Sequence, residues 1–365
     1  MQDDSDPTQQ KKIASYEREI RQAQAMGIDG FALNAGGWFR EPYYIRYTAQ
    51  MFEAAYRLHS GFKLMFSADM CCGNQMEDVE DMMRRYAGNP RYQNIYFQRD
   101  GKFVLTTFSG EKLGPATWVT MRLDLLRGTN PSSKVLPEVL EPAGAAPSNA
   151  PLRTFFMPAF FWGGETPIKA DIQAGLAEWA SAIDGAFYWG IAGVPGGPSL
   201  DIEKSSLAYA QTLHAAGKLY MAPVCAQFWG SNANRYYEYS GATGMRRLWQ
   251  AALEGSAEWV EIITWNDFIE GSYISPIDDP NLYSNANHID ASHIPSDTTN
   301  YFHTHAGMSD LVKYFIRSYK DGVPPVITKD RVFYFYRTQP LKVTAAVPPG
   351  EKSLWAHSRY DLYHG

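Results

Sequence analysis

Apolar positions along this chain repeat at two periods, and the two alternate over most of its length. Residues 15–26 (SYEREIRQAQAM) carry Tyr16, Ile20, Ala23 and Met26 at helical spacing, with charges between them and Gly27 as the stop. Residues 28–34 then form a compact apolar run of the kind a buried strand needs. The same alternation predicts further helices over 44–59, 77–86, 116–126, 168–182, 205–216, 245–253 and 309–319. Further strands are predicted over 62–66, 103–108, 154–161, 185–188, 219–226 and 260–264. Strands separated by helices of this length imply βαβ units and a parallel sheet. The expected fold is an α/β (β/α)8 TIM-type barrel, which needs eight strands and about 250 residues. Seven strands are visible, and the first is missing because the chain opens on a helix. Residues 1–12 (MQDDSDPTQQKK) offer no strand, so the edges of the first and last strands present would lie open unless something covers them.

The punctuation divides the chain. Residues 1–322 read as the barrel, whereas 323–365 begin with an alternating, aromatic stretch (VPPVITKDRVFYFYRTQPLKVTAAVPPG). That stretch predicts a short C-terminal β-rich segment, the start of a β domain that is cut. Two irregular stretches interrupt the barrel, 129–152 and 270–307, and the second is the better lid candidate because it follows the last strand. No G-x-G-x-x-G follows a strand and no phosphate-loop motif is present, so the usual nucleotide-binding signatures are lacking.

Composition narrows the function. The net charge is −6 with no basic run, which disfavours nucleic acid and anionic membrane. No apolar stretch approaches the roughly 18 residues that span a bilayer. The opening residues are polar where a secretory signal would be apolar, although secretion would suit a polymer substrate. Cys71 and Cys72 are adjacent and Cys225 is distant, so no disulfide framework or cysteine metal site is expected. Aromatic residues make up 14% of the chain, with 10 Trp and 23 Tyr, and the placement of the tryptophans gives this meaning. Trp38, Trp162, Trp189, Trp229 and Trp265 fall at or just past strand ends, as flat rings lining a sugar-sized cleft would.

Active groups of parallel α/β folds gather at the carboxyl ends of strands. That rule selects Asn34, Asp69, Glu111, Glu165, Asp267 and Glu270. Asp267 and Glu270 stand three residues apart in WVEIITWNDFIEGSYISPI (259–277), a candidate acid/base pair; the alternative is Asp267 capping the next turn, and spacing alone does not choose. Asp69, Glu111 and Glu165 also read as helix caps or ion-pair partners. Tyr273 and His305 complete the expected substrate-binding set of Asn34, Trp38, Asp69, Glu111, Trp162, Trp189, Trp229 and Trp265. His288, Asp290, His293, His303 and His305 are ligand-like, but no helix fixes their spacing, and neither metal nor cofactor is expected. A serine hydrolase is disfavoured because no G-x-S-x-G elbow occurs.

Several ordered pieces together resemble glycoside hydrolase family 71, the α-1,3-glucanases or mutanases, over nearly the whole chain. They are AMGIDGFALNAG (25–36), FKLMFSADM (62–70), FVLTTFSGE (103–111), FFMPAFFW (155–162), IDGAFYWG (183–190), KLYMAPV (218–224), WNDFIEGSYISPI (265–277) and VFYFYRTQP (332–340). The resemblance implies an endo-acting, inverting hydrolase of α-1,3-glucan with Asp267 and Glu270 as the catalytic pair, and with Asp69 and Glu111 holding sugar. CAQFWGS (225–231) departs from the family pattern, and the strand before the first helix is lacking. Related barrels acting on α-mannosides are the nearest alternative, and a non-catalytic carbohydrate-binding barrel is the rival of another class.

Overall fold

The computed structural model describes residues 9–129, 147–164, 166–190, 200–230, 235–238, 242–268, 270–276 and 305–332. The chain runs α1 (Gln10–Met26), β1 (Gly30–Ala35), α2 (Tyr43–Leu58), β2 (Lys63–Asp69), α3 (Met76–Met82), β3 (Gln98–Arg99) and β4 (Lys102–Phe108). It continues through α4 (Pro115–Arg127), β5 (Thr154–Phe156), α5 (Lys169–Trp179), β6 (Gly185–Phe187), α6 (Leu200–Ala215) and β7 (Leu219–Cys225). The hairpin β8 (Gln227–Gly230) and β9 (Arg235–Glu238) follows, then α7 (Ala242–Glu254), β10 (Trp259–Ile263) and α8 (Ala306–Asp321).

Seven of these strands are parallel. One sheet pairs β1 with β2, β2 with β4 and β4 with β5; a second pairs β6 with β7 and β7 with β10. A single bridge between Ala159 and Phe187 joins the sheets, so the order around the arc is β1, β2, β4, β5, β6, β7, β10. The arc curls on itself, since Trp259 of β10 meets Phe97 and Phe155 across the hollow at ring distances of 5.0 and 5.8 Å. An α/β fold of parallel strands alternating with helices is therefore observed, and among the described residues β1 and β10 are not paired with each other.

The helices close the outside. On α1, Ile13, Ile20, Ala23 and Met26 form the buried stripe, and Gly27 at φ 95° ends the helix with the Gly27 and Ile28 N–H groups donating to Gln24 and Ala23 carbonyls. A residue with a side chain there would be strained, and its Cβ would sit 3.0 Å from Ile316 of α8. Lys320 Nζ of α8 donates to the Gly27 carbonyl and to Asp29 at 2.7 and 2.6 Å, tying the last helix to the first.

Between α2, α3 and the first strands lies an aromatic core in which Phe52 stacks on Tyr86 at 4.4 Å and packs against Phe66, Tyr92 and Tyr96. Its polar centre is Asp81, fully buried, whose Oδ2 accepts Arg85 Nε at 2.6 Å and Trp38 Nε1 at 2.8 Å. At the amino ends of the strands Asp184 accepts Arg122, Lys102 and the Phe156 N–H at 2.6, 3.1 and 2.9 Å, pinning α4, β4 and β5 to the entry of β6.

Differences from the sequence expectation are local. Helix α1 begins five residues earlier than predicted, because Ile13 extends the buried stripe by one more turn and Gln10 accepts Arg57 at 2.5 Å. The β8–β9 hairpin lies where only a strand end was expected; aromatic QFW and RYY on either side of a Gly-Ser-Asn-rich stretch are its sequence signal. In the segment expected to be β-rich, residues 323–332 form no strand, and 333–365 lie outside the described residues. No helix among the described residues is long and apolar enough to cross a membrane.

Candidate active site

A cavity of about 1030 Å³ occupies the hollow of the arc and runs along the seam between β1 and β10. Asn34 and Asp69, at the carboxyl ends of β1 and β2, line it together with Trp189, Trp265, Asp267 and Glu270. The register aligns the first pair: Asn34 lies opposite Ser67, so the side chains of 34, 67 and 69 share one face. Asn34 Nδ2 donates to Asp69 Oδ2 at 3.3 Å, and Ser67 Oγ donates to Asn34 Oδ1 at 3.2 Å. Asp69 Oδ1 accepts the N–H groups of Cys71 and Cys72 at 2.8 and 3.1 Å, which orients the carboxylate as a cap for the turn beyond β2. The cap reading and the site reading of Asp69 thus coexist in one side chain.

The opposite wall is a built turn. Beyond β10 the peptide between Ile263 and Thr264 is cis, and Thr264 is clamped by Ser272 through N–H to carbonyl at 3.1 Å and hydroxyl to hydroxyl at 2.9 Å. Thr264 Oγ1 then accepts the Asp267 N–H at 3.0 Å, and Asp267 Oδ1 accepts the Glu270 N–H at 3.0 Å. Gln227 of β8 donates to the Gly271 carbonyl at 3.0 Å and braces the turn from outside. Asp267 therefore caps its turn, as the simpler alternative required, and also lines the cavity with Glu270. Two carboxyl groups on one wall can divide proton donation and water activation at a glycosidic bond.

Several expected site residues stand elsewhere. Trp38 is in the core with no exposed surface, bonded to Asp81, and does not reach the cavity. Trp162 is buried between Phe160 at 4.2 Å and Tyr209 at 6.0 Å, also off the cavity wall. Tyr273 and His305 stack on each other at 3.8 Å, and His305 Nδ1 lies 2.6 Å from the Tyr273 carbonyl; neither lines the cavity. The two rings instead fasten the turn to the start of α8. Glu111 sits one layer behind the wall, where Oε1 accepts the Phe161 N–H at 3.1 Å and Oε2 is buried without a hydrogen-bond partner among the described residues. Burial raises its carboxyl pKa. The side chains of Trp229 and Glu165, and the residues of 277–304 that carry His288, Asp290, His293 and His303, lie outside the described residues. No group of three or more potential metal ligands is found among those described.

Trp265 lines the cavity and also braces its edge. Its indole spans the seam, 5.3 Å from Phe31 of β1, and Nε1 donates to Glu19 of α1 at 3.1 Å. Sequence pattern singled out neither Glu19 nor Glu261. Glu261 is an acid in the middle of an apolar strand; Oε2 is buried with no partner among the described residues, and burial pushes its pKa up to about 8. An acid interrupting the run V-E-I-I was the available signal.

Solved structures share this fold. An endo-α-mannosidase of family GH99 from Bacteroides thetaiotaomicron superposes with a TM-score of 0.59 at 13% identity, over 85% of this chain and 84% of that one. Among characterised sequences, the glucan endo-1,3-alpha-glucosidase agn1 of Schizosaccharomyces pombe is 27% identical over 338 residues, spanning 91% of this chain and 68% of the relative. A mutanase of Penicillium rubens is 26% identical over 359 residues, 94% of this chain and 67% of the relative. An ascus wall endo-1,3-alpha-glucanase of Schizosaccharomyces pombe is 24% identical over 343 residues. The family model for glycosyl hydrolase family 71 matches residues 5–353, and the chain belongs to that family.

Proposed function

We propose that this chain is an endo-acting glycoside hydrolase of α-1,3-glucan, built as a (β/α)8-type catalytic unit over residues 1–322. The observation that carries the reading is the position of Asp267 and Glu270: both line the cavity, on a turn that hydrogen bonds hold at the carboxyl end of β10. The family and the three relatives named for α-1,3-glucan or mutan support the substrate. In this reading one of the two carboxyl groups protonates the leaving oxygen and the other activates water, with inversion at the anomeric carbon. Asn34 and Asp69 across the cavity bind sugar hydroxyls, and Trp189 offers a ring face to the sugar.

Reducing ends released from insoluble α-1,3-glucan, measured beside α-1,4-glucan, α-1,6-glucan and an α-mannoside, test the reading. Release from the first alone is expected. Asp267→Asn and Glu270→Gln should each lower turnover by about 10³-fold or more, roughly 4 kcal/mol of transition-state stabilisation, while glucan binding persists. Binding without turnover in the parent protein would leave a carbohydrate-binding module instead.

A further inference from the structure

Cys71 and Cys72 adjoin in sequence, and both are exposed in the turn that follows β2, whereas Cys225 is fully buried. Their N–H groups donate to one oxygen, Asp69 Oδ1, at 2.8 and 3.1 Å, and Asp69 lines the cavity. Their side chains face the two neighbours of β2. Cys71 Sγ lies 3.3 Å from Ser109 Oγ, just beyond β4. Cys72 lies against Gly36, just beyond β1, where an added Cβ would fall 2.5 Å from the cysteine Cβ. Both flanks of the turn are pinned. The Met70 N–H donates to the Phe108 carbonyl at 3.0 Å, and Asn74 Nδ2 donates to the carbonyls of Ala35 and Asp69 at 2.6 and 3.1 Å. A rearrangement of the two cysteines is therefore confined to the turn itself.

We propose that Cys71 and Cys72 form a reactive dithiol site, which small-molecule disulfides oxidise to a bond between the two neighbours, releasing Asp69 from its two N–H donors. The sulfurs face apart across the end of β2, so the peptide joining them must turn before they meet, and that turn withdraws the N–H groups from Asp69. Two exchanges complete the chemistry. Cys71 as thiolate attacks one sulfur of the small disulfide, forming a mixed disulfide and expelling one thiolate. Cys72 then attacks the Cys71 sulfur and expels the second, and the two protons lost by the cysteines leave on the two released thiols. Cys71 goes first because burial and the charge of Asp69 push the Cys72 thiol up to about 11. The product is labile rather than structural: adjacent Cα atoms stand about 3.8 Å apart, short of the roughly 4.4–6.8 Å usual for disulfides, so the small ring is strained and easily reduced. The consequence for glucan rests on the reading of Asp69 as a sugar-binding residue. Without its two donors the carboxylate loses its fixed place beside Asn34, and the cavity binds sugar less tightly.

The test incubates the whole chain with oxidised glutathione and follows peptide mass, amide hydrogen exchange and binding of linear α-1,3-gluco-oligosaccharides. The peptide carrying Cys71 and Cys72 should lose two hydrogen atoms and regain them with dithiothreitol, while buried Cys225 stays a free thiol. Exchange at the Cys71 and Cys72 amides should quicken at least tenfold on closure, and oligosaccharide affinity should fall about tenfold. Cys71→Ser and Cys72→Ser each keep both N–H groups but cannot close the ring, so these amides should keep their slow exchange under the same treatment. A reaction that stops at glutathione on one cysteine, closure that leaves the two amides unchanged, or equally quickened exchange in both variants would overturn the proposal. Closure with quickened exchange but undiminished sugar affinity would uphold the dithiol site and count instead against Asp69 as a sugar residue, so the two readings fail separately.

Discussion

Two sides of the sheet solve the same packing problem differently. From β1 through β2 and β4 to β5 each strand has a parallel neighbour, and α2 and α3 bury against them an aromatic core centred on the Asp81, Arg85 and Trp38 bonds. From β10 back to β1 no strand pairing occurs among the described residues; one indole, one carboxylate and a helix–helix contact hold the edges. The first side is stabilised by close packing with paired polar groups, the second by a few bridging side chains over a cavity. The catalytic candidates sit on the walls of that cavity. Rigidity is therefore concentrated away from the site, and the site adjoins the least constrained part of the sheet.

This contrast can be broken from its strong side first. Asp81→Ala leaves Arg85 buried without its carboxylate and takes the acceptor from Trp38, so urea denaturation should show a loss of about 3–5 kcal/mol. A loss under 1 kcal/mol would show that the aromatic core alone holds this side. On the open side the sign reverses. Glu261 keeps its proton up to a pKa of about 8 in the folded chain, against about 4.5 when unfolded. Its burial costs nothing below about pH 4, the cost grows as pH rises through that window, and it is complete above about 9. Glu261→Leu should therefore raise the melting temperature at pH 9, by an equivalent of roughly 2–4 kcal/mol, and change it little at pH 4. Equal effects at both pH values would mean that the carboxyl is not the source. The smallest change is Trp265→Phe, which keeps a ring near Phe31 and deletes the bond to Glu19. A loss of about 1–2 kcal/mol is expected, and none if the indole does not brace the seam.

What the sequence made legible follows the same division. Parallel strands and helices announce themselves by period, and all seven parallel strands and eight helices occur near the expected positions. Site residues were legible where a strand end fixes them: Asn34, Asp69, Asp267 and Glu270 reach the cavity because the carboxyl ends of β1, β2 and β10 present them. Tryptophans were less so, because proximity to a strand end does not decide direction. Trp38 turns inward to Asp81 and Trp162 stacks on Phe160, while Trp189 reaches the wall. Glu19 was invisible because its partner Trp265 is 246 positions away, and periodicity carries no information about such pairings.

That same long span has a kinetic consequence. Most strand pairs in this chain join neighbours in sequence, so the arc can form by successive short closures. The bonds of Trp265 to Glu19 and Lys320 to Asp29 instead close loops of 246 and 291 residues, whose entropy must be lost before any contact compensates it. These contacts should form last on refolding and open first on unfolding, giving amides near Gly30 and Trp259 faster exchange than those of β2 and β4, with the earliest proteolytic cuts where α1 meets α8.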